Sequence, residues 1–403
     1  MSQRWLTVIG IGDGGLATLT PEARAALGTA TTIFGGKRHF AMLGEHRARR
    51  LEWAQPFARS LDAIGERRGQ PTVVLATGDP MWFGVGATLA RAFPPEEMRV
   101  LAAPSAFSLA AARLGWPLED TACLTVHGRP VEAVTRHLQP GARLLVLSED
   151  GDSPRTLARL LTSRGYGPSR LTILEHLGGV KERLRETGAL DFELADVAAL
   201  NTVAIVCHPG RAAEPRPLVP GLPDDGFIHD GKMTKRVLRA LAIAALGPMQ
   251  GDLLWDVGSG SGSISVEWLR AGRDLRALAI EPVETRRMMI AENAVAFGVP
   301  ELRIVAGRAP EAFAALETPD AVFLGGGLSD GVFDAAFEAL KPGGRLVAHA
   351  VTLESEAILI GLHAEHGGEL MRVAVETAAP VGPYRGFKPA MTVVHWHLTK
   401  GLA

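Results

Sequence analysis

Cysteine is scarce in this sequence, and its scarcity excludes two kinds of protein. Cys123 and Cys207 are the only cysteines among 403 residues, and they lie far apart along the chain. A disulfide-rich scaffold or a CxxC metal site requires more cysteines at closer spacing. We therefore expect two buried, reduced thiols without a redox role.

A strong net charge and a long apolar run are also missing. The formal net charge is −2, which argues against a nucleic-acid-binding protein that works through a general basic surface. Glycines interrupt the apolar residues between Met1 and Gly12, and no window reaches the length of a membrane span. The sequence therefore predicts neither a signal peptide nor a transmembrane helix, and we expect a soluble, cytoplasmic protein.

The residues that are present indicate two globular domains. Hydrophobic residues make up 47% of the chain and charged residues 21%, as in packed proteins. A chain of 403 residues exceeds one ordinary core. Five prolines between Pro209 and Pro223 interrupt regular structure near the middle of the chain. We place a boundary there and predict domains at residues 1–211 and 212–403.

Short apolar runs alternate with helical stretches in both halves, which predicts α/β domains with mainly parallel sheets covered on both faces. Ligands of such sheets bind beyond the carboxyl ends of the strands. The predicted strands are Leu6–Ile9, Val73–Ala76, Arg99–Ala102, Leu144–Leu147, Thr202–Cys207, Leu253–Val257, Ala277–Ile280, Leu302–Val305, Ala321–Leu324 and Arg345–Ala350. The predicted helices include Pro21–Leu27, Gly84–Ala92, Ser105–Leu114, Pro154–Arg164 and Thr234–Leu246.

The strongest motif of the second half is a glycine-rich loop between a predicted strand and a predicted helix. The strand ends in Asp256, and three alternating glycines follow it. Glycines let the backbone approach a ligand closely, and a helix N-terminus offers free N–H groups. The next strand ends in Glu281, 19 residues beyond Gly262, where a carboxylate can accept both ribose hydroxyls of an adenosine. The predicted nucleoside contacts are Asp256, Gly258, Ser259, Gly260, Gly262 and Glu281.

This spacing alone does not distinguish NAD from S-adenosylmethionine. The pattern is Gly-x-Gly-x-Gly rather than the dinucleotide Gly-x-Gly-x-x-Gly, and an acid lies two residues before the first glycine. Further candidates follow later strands, namely Arg308, Ala309 and Gly325 at the start of the Gly325–Gly327 stretch. Together these features resemble the class I methyltransferases, which use S-adenosylmethionine.

A segment before the loop narrows the resemblance. Residues 221–239, here called the lead-in segment, contain Pro223, Asp224, Phe227, Thr234 and Arg239 in the order Pro-Asp-x-x-Phe and Thr-Lys-x-x-x-Arg. With the later glycines, this order resembles the CbiT-type precorrin methyltransferases over about residues 221–397. The resemblance implies a Rossmann-like class I fold and adds Thr234 to the predicted cofactor contacts.

The glycines of the first half do not fit a dinucleotide-binding loop. Gly10, Gly12 and Gly15 match Gly-x-Gly-x-x-Gly, but the helix signals begin at Thr20, five residues after Gly15. The segment Thr31–Gly36 also lacks the acid that such a site requires.

Several strings of residues 4–210 resemble instead the tetrapyrrole methylases, and their CbiE-type branch in particular. They are Gly35–Arg38, Thr77–Pro80 with Gly84 and Gly86, Pro104–Ser105, His127–Arg129 and Glu175–Arg183. The resemblance implies a fold of two α/β subdomains and a cleft for cofactor and substrate. The implied cofactor contacts are Gly10, Gly12, Gly78, Asp79, Pro80 and Ser105. The family usually has proline where this chain has Asp13, and the aspartate adds a negative charge near an anionic substrate.

The fused pair resembles the CobL-type precorrin-6B C5,15-methyltransferases of cobalamin biosynthesis. The resemblance implies one S-adenosylmethionine per domain, methylation at C5 and C15, and decarboxylation of the ring C acetate side chain to give precorrin-8. The first half would methylate one meso carbon, and the second half would methylate the other and remove carbon dioxide. Because a macrocycle carbon is the nucleophile, we expect orientation and exclusion of water to dominate catalysis. No catalytic acid or base is assigned.

Basic side chains are predicted to face the substrate, since a corrin precursor carries many carboxylates. The candidates are Lys37, Arg38, His127, Arg129, Arg385 and Lys388, and we expect the first two and the last two to lie in glycine-rich loops. Each of them is equally consistent with a solvated surface charge. No metal is predicted, because His395 and His397 on one strand face are more typical of a core than of a ligand set.

Two other functions stay open on the sequence. One is a methyltransferase fusion that acts on another substrate, and the other is a non-catalytic sensor in which one domain binds S-adenosylmethionine. Glycines and acids retained in both halves favour an enzyme. We expect a tetrapyrrole substrate, neither a nucleic-acid nor a membrane partner, and by resemblance a homo-oligomer.

Overall fold

The computed structural model describes residues 4–326, 328 and 331–402. The chain forms two compact units, which are Met1–Val131 with His137–Pro215, and Glu132–Arg136 with Arg216–Ala403. The main change of unit, after Pro215, falls within the proline-rich segment. Gly327 of the predicted glycine stretch lies outside the described residues.

The first sheet of the first unit is parallel and carries helices. Its strands are β1 (Leu6–Ile11), β2 (Thr32–Gly35), β3 (Arg49–Glu52), β4 (Thr72–Thr77) and β5 (Met98–Leu101). Its helices are α1 (Pro21–Thr29), α2 (Lys37–Leu43), α3 (Ala58–Gly65), α4 (Val85–Ala92) and α5 (Ala106–Leu114). The strand order is β3-β2-β4-β1-β5. The predicted late helix start is confirmed, because α1 begins at Pro21 and its cap residue Thr20 accepts the N–H of Ala23.

The second sheet of the first unit is mainly antiparallel, so the prediction of a mainly parallel sheet is wrong here. Its elements are β6 (Thr121–Thr125), β7 (Arg143–Leu147), α6 (Ser153–Ser163), β8 (Arg170–Glu175), β9 (Arg183–Gly188) and β10 (Asn201–Val206). In the order β6-β7-β10-β8-β9, only β6 and β7 pair in parallel. The seven residues between β8 and β9 are too few for the crossover that parallel neighbours need.

The second unit has one large sheet with the order β13-β12-β11-β14-β15-β19-β16. Its strands, with a separate β17–β18 ribbon, are β11 (Leu253–Val257), β12 (Arg276–Glu281), β13 (Arg303–Ala306), β14 (Ala321–Leu324), β15 (Arg345–Ala350), β16 (Glu369–Val373), β17 (Glu376–Val381), β18 (Tyr384–Pro389) and β19 (Val393–Thr399). Its helices are α7 (Arg236–Leu246), α8 (Ser263–Ala271), α9 (Glu284–Ala296), α10 (Val332–Ala339) and α11 (Leu353–His366).

The strands from β13 to β15 in this order are parallel, and β19 and β16 add antiparallel edges. Two buried apolar clusters cover its two faces, one containing Trp268 and the other Trp255. Both tryptophans therefore belong to the core, as predicted. Among the described residues, no helix has the length and apolar character that a bilayer span requires.

Candidate active sites

The first unit contains a cavity of about 440 Å³ between loops that leave both of its sheets. The first sheet contributes residues that follow β1 and β4, and the second sheet contributes residues that follow β7 and precede β10. Ser105 caps α5 by accepting the N–H of Ser108 at 3.0 Å. The predicted contacts that line this cavity are Gly12, Arg38, Gly78, Asp79, Ser105 and His127.

Gly10 and Pro80 shape the loops and are not among the residues that line the cavity. A Cβ atom on Gly10 would lie 2.2 Å from the carbonyl oxygen of Gly78, so only glycine lets these two segments approach. A Cβ on Gly84 would lie 2.5 Å from the carbonyl oxygen of Pro80. These residues hold the turn after β4 against β1.

Gly10 and Gly12 give a matched pair of alanine substitutions with opposite expected results. Gly10→Ala should destabilise the first unit by about 2 kcal/mol, because its methyl group would clash with buried backbone. Gly12→Ala should keep the melting temperature, since its Cβ meets nothing within 4 Å. It should nevertheless weaken S-adenosylhomocysteine binding to the first unit about tenfold, because Gly12 lines the cavity.

Thermal melting and calorimetric titration measure these two effects separately. Wild-type affinity of the Gly12→Ala protein would mean that no ligand approaches this backbone.

Asp13 is paired on both of its oxygens. Nη1 of Arg38 donates to Oδ1 of Asp13 at 2.9 Å, and Nδ1 of His176 lies 3.0 Å from Oδ2. The negative charge at this position is therefore offset by the Arg38 guanidinium. Sequence reasoning missed His176 as a partner, because 163 residues separate it from Asp13.

Thr77 lies at the cavity with its hydroxyl held by two donors. Nη2 of Arg38 donates to its Oγ1 at 3.1 Å, and Nε2 of His39 also lies 3.1 Å away. Nδ1 of His39 accepts the N–H of Gly36 at 3.2 Å, which leaves the proton on Nε2. Burial, and then the charge of Arg38, lowers the pKa of His39 to about 4. Because Thr77 accepts two bonds, its own hydroxyl proton is left to donate to a ligand.

The remaining basic candidates of the first unit differ in position. The prediction that Lys37 and Arg38 lie in a loop is wrong, because they are the first two residues of α2. Lys37 is exposed and does not line the cavity. The guanidinium carbon of Arg129 lies 5.2 Å from the centre of the Phe83 ring, which is itself on the cavity wall.

Cys123 and Cys207 are free thiols, and burial raises their pKa to about 11 and about 12. Both thiols therefore stay protonated at neutral pH.

In the second unit, Asp256 is the last residue but one of β11, and its buried side chain anchors the glycine loop. Its Oδ2 accepts the hydroxyls of Ser259 and Ser265 at 2.7 Å each. Burial raises the pKa of Asp256, and these hydrogen bonds oppose that shift. Gly258, Gly260 and Gly262 have positive φ angles of 69°, 59° and 76°, a backbone conformation that favours glycine.

Glu281 ends β12 and holds the same loop from the neighbouring strand. Its side chain is 1% exposed. Its Oε2 accepts the N–H of Gly260 at 2.9 Å, and its Oε1 accepts the N–H of Val283 at 3.0 Å. Each carboxylate oxygen keeps a further lone pair, so Glu281 can tie down the loop and still accept hydroxyl groups from a sugar.

A buried ion pair holds the lead-in segment in place. Arg239 and Glu267 are 0% and 1% exposed, and Nε of Arg239 donates to Oε1 of Glu267 at 2.7 Å. Nη1 of Arg239 donates to Oδ1 of Asp224 and to the carbonyl oxygen of Thr234, and the guanidinium lies 4.7 Å from the Phe227 ring centre. The spaced motif of the lead-in segment is therefore one connected network around Arg239.

Asn293 on α9 joins the lead-in segment to the glycine loop. Its Oδ1 accepts the N–H of Ile228 at 2.9 Å, and its Nδ2 donates to the carbonyl oxygens of Ile228 and Ser261 at 2.9 and 2.8 Å. Sequence reasoning missed both Asn293 and Glu267. A lone glutamate inside the apolar stretch of α8 is the signal that could have indicated the latter.

The other predicted residues of the second unit are dispersed. Arg308 is exposed, and Ala309 packs against the core cluster that contains Trp255. The N–H of Gly325 donates to the carbonyl oxygen of Val257 at 3.1 Å, next to the glycine loop. The placement of Arg385 and Lys388 in a glycine-rich loop is wrong, because both lie on β18, in a ribbon separate from the main sheet.

His349 on β15 and His395 on β19 form a buried pair. Nε2 of His349 lies 2.9 Å from Nδ1 of His395. Burial, and then a neighbouring histidine, lowers the pKa of His349 to about 3 and that of His395 to about 4. Among the described residues, no three His, Cys, Asp or Glu side chains form a group that could hold a metal ion.

We expect the second unit to lose about 2–4 kcal/mol of stability when the pH falls from 7 to 5. Unfolded histidines bind protons below a pH of about 6.5, whereas the folded pair stays neutral down to about pH 4. The unfolded chain therefore gains protons first, and stability falls with falling pH across this window. Calorimetry from pH 7 to pH 5 measures the effect, and the double variant His349→Phe/His395→Leu should flatten it. An unchanged slope in that variant would contradict the assignment.

Comparison with known proteins places the chain in a family. The family of tetrapyrrole (corrin/porphyrin) methylases matches residues 5–191, and the precorrin methyltransferase domain matches residues 225–400. A precorrin-6Y C(5,15)-methyltransferase (decarboxylating) of Sinorhizobium sp is 50% identical over 399 residues, which cover 98% of this chain and 97% of the relative. The chain belongs to the precorrin-6Y C(5,15)-methyltransferase family. It is accordingly an S-adenosylmethionine-dependent C-methyltransferase.

Two shorter relatives of this methyltransferase family each match less than half of the chain. A cobalt-precorrin-7 C(5)-methyltransferase of Salmonella typhimurium is 33% identical over 181 residues, 44% of this chain and 88% of the relative. A protein named probable cobalt-precorrin-6B C(15)-methyltransferase (decarboxylating), from Saccharolobus solfataricus, is 36% identical over 145 residues, 34% of this chain and 73% of the relative.

The second unit has groups that fit the methyl donor of this methyltransferase family. Glu281 offers a buried carboxylate at a strand end. The loop from Gly258 to Gly262 contacts this carboxylate and presents backbone without bulky side chains at its glycines. The hydroxyl of Ser261 is buried and has no hydrogen-bond partner among the described residues. An orphaned polar group in a ligand loop is expected where a bound molecule completes its hydrogen bonds.

Proposed function

We propose that this chain methylates a precorrin-6 macrocycle at C5 and C15 and removes carbon dioxide from the ring C acetate side chain, giving precorrin-8. The observation that carries the proposal is the 50% identity, over nearly the whole chain, to a relative named for both methylations and the decarboxylation. The names of the two shorter relatives, which divide C5 from C15, support two separable methyl transfers.

The proposal assigns one donor site to each unit. The first unit would methylate one meso carbon in the 440 Å³ cavity, and the second would methylate the other and perform the decarboxylation beside the glycine loop. Bound S-adenosylmethionine supplies a methyl group on a sulfonium sulfur, and an electron-rich macrocycle carbon accepts it. Glu281 would hold the ribose in the second unit, while Thr77 and Arg38 would present hydrogen-bond donors in the first. A cytoplasmic location and a homo-oligomeric state also stay proposals, which rest on the sequence.

The direct test is incubation of the full chain with the precorrin-6 substrate and isotopically labelled S-adenosylmethionine. Mass spectrometry should find a product that has gained two labelled methyl groups and lost carbon dioxide. The Glu281→Ala protein should lose the methyl transfer and the decarboxylation that the proposal assigns to the second unit. Unchanged substrate with the wild-type chain would reject the corrinoid assignment in favour of a methyltransferase for another substrate.

Calorimetric titration with S-adenosylhomocysteine tests the arrangement of sites independently of the substrate. Two binding sites per chain are expected. One site or none would indicate the alternative, a sensor with a degenerate domain.

A further inference from the structure

Two large aromatic side chains stand partly exposed on the wall of the first-unit cavity. Trp82 and Phe83 follow the Gly78–Pro80 turn, line the cavity, and are 38% and 44% exposed. Their ring centres lie 5.1 and 6.0 Å from that of the buried Phe107. The two exposed rings, here called the aromatic ledge, therefore pack against a fully buried residue of the core.

Phe83 adopts an unusual backbone conformation. Its φ angle is +54°, in the left-handed region where a bulky residue is disfavoured and glycine or asparagine is preferred. A glycine at this position would adopt the same φ angle without strain. A strained aromatic residue on a cavity wall indicates that the ring itself is required there.

A cation accompanies the ledge. The guanidinium of Arg129 lies 5.2 Å from the centre of the Phe83 ring. Arg129 is exposed, and its backbone N–H donates to the carbonyl oxygen of Val126 at 3.2 Å. Among the described residues, no hydrogen bond or ion pair engages its guanidinium. A guanidinium that stacks on a ring can still donate from its edge to a carboxylate. His127, which also lines the cavity, adds a second donor beside it.

We propose that the flat, conjugated face of a carboxylate-bearing macrocycle stacks on the ledge of Trp82 and Phe83, with Arg129 holding one of its carboxylates. The ledge offers aromatic faces, and Arg129 offers a positive charge at the edge of one ring, which together match a planar polyanion. The identity of the macrocycle as a precorrin rests on the proposed function. The competing occupant is the adenine ring of the methyl donor, and the test separates the two.

The test uses full-length variants and a stable probe, the flat octacarboxylic tetrapyrrole uroporphyrin. Trp82→Ala removes one ring, and Phe83→Asn removes the other while tolerating the left-handed backbone. Phe83→Tyr keeps the ring. Met81→Ala is the matched control, because Met81 is 46% exposed in the same turn but does not line the cavity. The shift of the porphyrin absorbance band reports binding, calorimetry reports S-adenosylhomocysteine affinity, and thermal melting reports folding.

Trp82→Ala and Phe83→Asn should each weaken porphyrin binding about tenfold or more, because each removes one stacking face. Phe83→Tyr and Met81→Ala should bind porphyrin as the wild type does, and no variant should change S-adenosylhomocysteine affinity. Phe83→Asn should melt within about 3 °C of the wild type, since relief of backbone strain offsets the lost ring contacts.

The proposal is overturned if the wild type does not bind the porphyrin, if Phe83→Asn binds it equally well, or if the ledge variants lose S-adenosylhomocysteine affinity instead. The last result would place the adenine on the ledge. Porphyrin binding does not depend on turnover, so the proposal for the aromatic ledge and the proposed function can be rejected independently of each other. If the chain turns over precorrin-6, the ledge variants should raise the KM of the first unit's methylation for its macrocycle substrate. They should leave the kcat of the second unit's methylation unchanged.

Discussion

Replacing Glu281 with alanine is expected to weaken S-adenosylhomocysteine binding to the second unit at least about 100-fold, or roughly 2.7 kcal/mol. The substitution removes the acceptor for the N–H groups of Gly260 and Val283, so the glycine loop loses its tie to β12. It also removes the carboxylate that we expect to accept the ribose hydroxyls. The first unit should keep its affinity, which leaves one calorimetric site per chain.

Two further variants make the Glu281 result specific. Glu281→Gln should show an intermediate loss, because an amide NH₂ replaces one of the two oxygens that accept a backbone N–H. Glu284→Ala removes an exposed carboxylate from the first turn of α9 and should bind as the wild type does. Full donor affinity in the Glu281→Ala protein would show that the nucleoside pocket lies elsewhere.

Replacing Glu267 with alanine is expected to destabilise the second unit by about 3–5 kcal/mol. The change leaves the guanidinium of Arg239 buried without its main counter-charge. It also frees the N–H groups of Gly221 and Leu222, which donate to the two oxygens of Glu267 at 2.7 and 2.9 Å. Scanning calorimetry of the full chain should show a lower transition temperature for the second unit.

An exposed ion pair and a charge-free double variant serve as controls for Glu267. Arg276 and Glu317 are 48% and 49% exposed, so Glu317→Ala should cost less than about 1 kcal/mol. The double variant Arg239→Met/Glu267→Leu should regain much of the lost stability, because it removes both buried charges. If Glu267→Ala melts as the wild type does, the network around Arg239 does not stabilise the fold.

The sequence predicts best the strands that are buried on both faces. The bounds of β11, β14 and β15 match the predictions, because these strands are mainly apolar and buried in the interior of the large sheet. The strands β2, β3, β6, β8, β9 and β16–β18 were not predicted. Most of them are edge or exposed strands with charged and polar residues, whereas β2 and β8 are short strands inside their sheets. Their partners, rather than their own apolar pattern, determine their conformation.

The residues of the candidate sites also differ in how well the sequence predicts them. Acids at or next to the carboxyl end of a buried strand, such as Asp256 and Glu281, can be recognised from the local sequence. The bonds that hold these loops in position are invisible locally, since Asn293 lies 65 residues from Ile228 in the chain. Contacts at such separation depend on the topology, which a single sequence does not specify.

The Asn293 amide has a consequence for the order of events when the second unit binds its ligand. Because one side chain bonds to Ile228 and to Ser261, we expect opening of the lead-in segment to be coupled to opening of the glycine loop. A ligand that reduces opening of the glycine loop should therefore slow hydrogen exchange at the Ile228 amide, even if the ligand does not contact the lead-in segment. Hydrogen exchange at the backbone around Ile228 would then report, from a distance, whether a ligand occupies the glycine loop.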